Sequence, residues 1–169
     1  MLTKNFYAAM MVLLGKTTSA ALNKNGENIN LGFPTNDSHN HGVFPYMFQY
    51  DKENAYQYVE FGNGTTPATT GDYKLENKIT SGITVTTPSA VTTEQTDSYI
   101  FWTVTFGVMA STETTISEIG LTAKITYSTG VNPVAILVDR TVLDTPITIP
   151  AGQSKQITYT IRFNYGDAV

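Results

Sequence analysis

The sequence predicts an all-β, antiparallel β-sandwich, and three observations carry that prediction. The closing segment alternates strictly, with Ile157, Tyr159, Ile161, Phe163 and Tyr165 set against Gln156, Thr158, Thr160, Arg162 and Asn164. A period of two with one apolar face is the pattern of a half-buried antiparallel strand. The run Tyr99–Val108 repeats it, with Ile100, Trp102, Val104, Phe106 and Val108 facing one way and Tyr99, Phe101, Thr103 and Thr105 the other. Composition is the third observation. Charged residues make up 14% of the chain, well under the usual quarter or so. Thr, Ser, Asn and Gln must then form much of the surface, and β-branched threonine favours strands over helices.

The elements follow in chain order. Leu2–Leu14 holds Lys4 and then nine apolar residues, Phe6 to Leu14, before Gly15. This is too short to span a membrane, which takes about 20 apolar residues. A short helix docked by its apolar face is the favoured reading, and a signal peptide with a small-residue site at Ser19-x-Ala21 is the alternative. Such a helix is marginal alone, so Phe6, Met10 and Leu13 are candidates for an assembly surface. Asn23–Tyr50 is rich in Asn, Gly and Pro and reads as an extended arm with at most one short strand. Phe44, Tyr46, Phe48 and Tyr50 crowd its end and join the candidate assembly surface, because Tyr and Phe are enriched at interfaces. Their other reading is a cover over one edge of the sandwich.

Tyr56–Phe61 alternates as a strand, Gly62-Asn63-Gly64 turns out of it, and Asp72–Ile79 reads as a helical turn or irregular crossing. Ile83–Thr87, Tyr99–Val108, Ile116–Tyr127, Ala135–Leu143, Ile147–Pro150 and Gln156–Tyr165 complete about seven strands at sandwich-like spacing, either immunoglobulin-like or jelly-roll-like. Trp102, the single tryptophan, is expected in the core. The expected division is a helix and arm over 1–55 and a sandwich domain over 56–169.

Charge and chemistry exclude several classes. A net charge of −4, with no run of three basic residues, argues against a nucleic-acid surface. No cysteine is present, which removes disulfides, thiolate metal sites and cysteine nucleophiles. A serine triad lacks a Gly-x-Ser-x-Gly elbow, and Gly62-Asn63-Gly64-Thr65 lacks the lysine and helix of a phosphate loop. The chain is therefore expected to be no enzyme and to carry no cofactor. His39 and His41, two apart and able to point the same way in a strand, are weak metal candidates, with Asp37 or Asp51 as a possible oxygen donor. A solvated polar loop is their plainer reading. Glu118 and Arg140 fall on strands expected to be neighbours, and a salt bridge between them would fix strand register.

Four segments, in order, resemble a domain recurrent in structural proteins of tailed-bacteriophage virions. They are FGNGTTPATTGDYKLENKI at Phe61–Ile79, ISEIGL at Ile116–Leu121, LVDRTVLDTPITIP at Leu137–Pro150 and the closing ITYTIRF. The resemblance covers about two thirds of the chain, and the family also places an acid and an arginine at the Glu118 and Arg140 positions. It implies a virion protein made in the host cytoplasm, most simply a capsid decoration or auxiliary head protein on the outside of the shell. Its partners would be itself, as a homo-oligomer such as a trimer, and virion proteins such as the major capsid protein, with no nucleic acid and no membrane. A tail or fibre component and a secreted glycan-binding adhesin are the alternatives.

Overall fold

The computed structural model describes residues 1–13, 18–32, 57–86, 90–96, 99–125 and 134–164. The fold is an all-β antiparallel sandwich with one short N-terminal helix. The extended arm and the aromatic cluster Phe44–Tyr50 read from the sequence lie outside the described residues. Chain contacts group the residues into two compact units, Met1–Ile79 with Ile116–Ile147, and Thr80–Thr115 with Thr148–Val169. The expected division at residues 55 and 56 falls inside the first of these units.

In the first unit, helix α1 spans Lys4–Leu13 and strands β1 (Thr18–Leu22) and β2 (Asn28–Gly32) form an antiparallel hairpin. The sequence reading placed an arm from Asn23 onward and missed this hairpin. Its turn is local chemistry: Asn23 Oδ1 accepts from the Asn25 and Glu27 backbone N–H groups, both at 2.9 Å. Gly26 then takes φ +82°, the left-handed residue that a three-residue hairpin loop requires. Asn5 joins the helix to the hairpin, since its side chain donates to Leu22 O at 2.8 Å and accepts from Leu22 N at 2.7 Å. Phe6, Ala8 and Ala9 are buried, while Tyr7 is 52% and Met11 46% exposed.

The same unit holds all but the ends of a sheet in the order β3 (Gln57–Gly62), β7 (Thr114–Ile125), β8 (Val134–Ile149). The middle strand is buried on both faces from Ile116 to Ala123, and its sequence, in which Ser117, Glu118 and Thr122 are buried among apolar neighbours, shows no clean alternation. The sequence suggested two strands over 135–150; they are one 16-residue strand. It lies last in the sheet order, where Pro146 and its missing N–H are tolerated. Residues 1–3 run antiparallel to β8, with Thr3 N donating to Val138 O and Arg140 N to Met1 O, both at 3.0 Å.

The second unit is built on β6 (Tyr99–Ala110). It pairs on one side with β9 (Ser154–Asn164) and on the other with β4 (Ile83–Val85) and β5 (Ala90–Gln95). Val85 stands in register with Val108 and Ala90 with Thr105. Trp102, Val104 and Phe106 are buried opposite Ile161, Tyr159 and Ile157. Ile100 shares their parity yet is 38% exposed, because it falls near the strand's end. On the other face Thr103 and Thr160, and Thr105 and Thr158, hydrogen-bond across the strands at 3.0 and 3.1 Å.

Candidate functional site

Within the first unit, Asp72 and Glu76 converge on Glu118 and Arg140. Glu118 is on β7 and Arg140 on β8, neighbours in the sheet, and both side chains are buried, at 0% and 3% exposure. Arg140 Nε donates to Glu118 Oε2 at 2.8 Å. The carboxylate also accepts from Gly64 N at 3.2 Å, Asn77 N at 2.7 Å and Glu76 N at 3.1 Å. Both oxygens are thus held from two directions, the condition under which a buried charge is tolerated.

The rest of the arginine fastens the loop 63–79. Its Nη1 donates to Asp72 Oδ2 at 2.8 Å; Nη2 donates to Thr66 O at 3.1 Å and reaches Glu76 Oε2 at 3.4 Å. The two loop carboxylates are seated in the same way. Asp72 accepts from Thr69 N and Oγ1 at 2.9 and 2.8 Å, and Glu76 from Thr66 N and Oγ1 at 2.8 and 2.6 Å. Burial pushes the Asp72 carboxyl up, but the Thr69 N–H and the Arg140 guanidinium outweigh it and hold the group below its usual range. Thr66 does the same for Glu76. For Arg140, burial works against the charge, and Asp72 and Glu118 more than offset it.

Two glycines make room for this clasp. A Cβ at Gly62 would fall 2.3 Å from Glu118 Oε1 and 2.7 Å from Asn77 O, and one at Gly64 would fall 2.7 Å from Glu118 Oε1. The sequence reading gave Gly62-Asn63-Gly64 as a turn; its glycines are there because a carboxylate approaches the backbone. A cavity of about 250 Å³ opens beside the clasp, lined by Thr66, Thr69, Asp72, Tyr73, Glu76 and Arg140 among others.

A second charged group lies on β3. Lys24 and Lys78 both donate to Glu60 Oε1, the latter at 2.6 Å. Burial pulls the Lys24 ammonium below its usual range; Glu60 opposes that and Lys78 adds to it. Glu60 Oε2 and Thr122 Oγ1 are buried with no hydrogen-bond partner among the described residues.

The other sequence candidates fare differently. Phe6 is 5% exposed and belongs to the packing of α1, which corrects its assignment to a surface: Asn5, Phe6, Ala8 and Ala9 form the inward face. Met10 is half-buried. His39, His41, Phe44, Tyr46, Phe48 and Tyr50 lie outside the described residues, as does the Leu13 side chain. Among the described residues, no group of three or more His, Asp or Glu is disposed to hold a metal, and no helix is long and apolar enough to cross a membrane. Asp72, Glu76 and Thr66 were missed. The signal that could have found them is the density of acids and threonines in 65–76 facing one of only two arginines in the chain. No family model, curated protein or solved structure matches the chain.

Proposed function

We propose that this protein is a non-enzymatic structural component of a tailed-bacteriophage particle, and specifically a decoration protein on the outer face of the head. What supports the reading is the convergence of three of the segments that carry the resemblance. Phe61–Ile79 supplies the loop, Ile116–Leu121 supplies Glu118, and Leu137–Pro150 supplies Arg140, and the three meet in one buried clasp. Its ionised groups are committed to one another and to backbone amides, an arrangement that fastens a loop rather than activating a nucleophile. The negative net charge suits an outer surface away from the genome.

On this reading the protein assembles with itself, as a trimer at threefold positions, and contacts the major capsid protein. Its mass in solution is then about three times the 18.5 kDa of the chain, by analytical ultracentrifugation. Immunogold electron microscopy on particles from the natural source tests the location. Label over the whole head supports decoration. Label at one pole or on fibres moves the protein to the tail, and label on cells without particles sinks both in favour of a secreted adhesin.

A further inference from the structure

We infer that the buried polar face of the β3–β7 pair binds one internal water molecule, held between the Glu60 carboxylate and the Thr122 hydroxyl. The inference stands apart from the virion reading and rests on two side chains that the clasp around Arg140 does not use. Glu60 lies on β3 and Thr122 on β7. Glu60 is in register with Gly120, and Tyr58 with Thr122, so Glu60 and Thr122 are diagonal neighbours on one face of the ladder. Such neighbours stand about 7–8 Å apart, within reach of a long side chain. The Glu60 side chain is 2% exposed and Thr122 is fully buried.

Glu60 uses one oxygen for two partners. Oε1 accepts from Lys24, in the β1–β2 turn, and from Lys78, at the end of the loop 63–79. Oε2 has no hydrogen-bond partner, and neither has Thr122 Oγ1. Buried polar atoms are rarely left in that state, and an internal water making about three hydrogen bonds is the common remedy. The two atoms together define the guest. A carboxylate oxygen only accepts, so the guest must donate to it; a hydroxyl does both, so the guest can take either part at Thr122. Water meets both conditions at once. A cation would bring a third positive charge to a carboxylate that already holds two ammonium groups. A larger hydroxyl ligand has no room. Leu75 and Leu137 close over Gly120, where a Cβ would fall 2.7 and 2.9 Å from their methyl carbons, so the face is packed beside the two groups. Bound in this way, the water completes the shell of a carboxylate that ties both the hairpin turn and the loop end to β3.

The test is a high-resolution crystal structure of the full chain beside one of Thr122→Val, which keeps the shape of the side chain and removes its hydroxyl. The expected result is a solvent peak within about 2.5–3.0 Å of both Glu60 Oε2 and Thr122 Oγ1, lost in Thr122→Val. In solution, the ¹³C-labelled chain should show cross-relaxation between the water resonance and the Thr122 methyl group. A direct bond between Thr122 Oγ1 and Glu60 Oε2, or a lysine Nζ on Oε2, overturns the inference, as does the lack of a solvent peak between the two groups. A peak that persists unmoved in Thr122→Val overturns the bridge. If that variant fails to fold, the wild-type peak and the cross-relaxation still decide.

Discussion

Arg140 Nε lies 2.8 Å from Glu118 Oε2, and neither side chain is more than 3% exposed. The pair ties adjacent strands and, through the other arms of the arginine and the second carboxylate oxygen, ties the loop 63–79 to both. Buried pairs carry a large desolvation cost, so their net contribution is small while both partners are present. Losing one partner is different in kind.

Glu118→Gln keeps the shape and removes the charge. It leaves Arg140 with a buried deficit and turns a carboxamide N–H₂ towards amide donors that need an acceptor. Urea unfolding should show a loss of about 3–5 kcal/mol. In a double-mutant cycle with Arg140→Met, the double variant should be less destabilised than the two single losses added together. Strict additivity would count against a coupled pair.

Gly62→Ala should destabilise by about 1–3 kcal/mol, because its Cβ would meet a backbone carbonyl, Asn77 O, at 2.7 Å. Gly71→Ala is the control: its nearest atom is Thr69 Oγ1 at 3.7 Å, and the change should stay within about 0.5 kcal/mol. Equal losses at the two positions would mean that the loss at Gly62 reflects general backbone entropy and not the approach of the carboxylate.

Acid should loosen the loop. Asp72 and Glu76 have folded values depressed below their ordinary 3.8 and 4.5. Their contribution is complete above those ordinary values and is lost as pH falls through the depressed ones. Urea midpoints should therefore fall with pH between about pH 5 and pH 2, and Asp72→Asn with Glu76→Gln should flatten that slope while lowering stability at neutral pH. A double variant with an unchanged slope would place the acid sensitivity elsewhere.

Trp102→Ala should cost about 3–5 kcal/mol, since the side chain is 4% exposed in register with Ile161. Ile100→Ala, at 38% exposure, should change stability far less, by about 0.5 kcal/mol or under. Comparable losses would place Ile100 inside the core.

The strands were legible where one face is buried and the other wet. Residues 99–110 and 154–164 alternate in burial along most of their length, and so they alternate in sequence. Strand β7 is buried on both faces from Ile116 to Ala123, and its buried Ser117, Glu118 and Thr122 break the alternation. The hairpin β1–β2 was hidden because short strands around an Asn-Gly turn share the composition of a loop. The partnership of Glu118 and Arg140 could be read from strand adjacency. The rest of the clasp could not, because it depends on an irregular segment whose path no periodicity describes.

The pairing of residues 1–3 with β8 sets a timetable for folding. Thr3 Oγ1 donates to Leu137 O across 134 positions, so residues 1–3 find their partners only once β8 has been made. Glu118 likewise waits for Arg140. Contacts of such long range slow the search for the native state, and a nascent chain stalled before β8 would carry an unpaired strand edge and an uncompensated carboxylate. Completion of β8 is therefore the event on which N-terminal order, sheet closure and loop capture all depend.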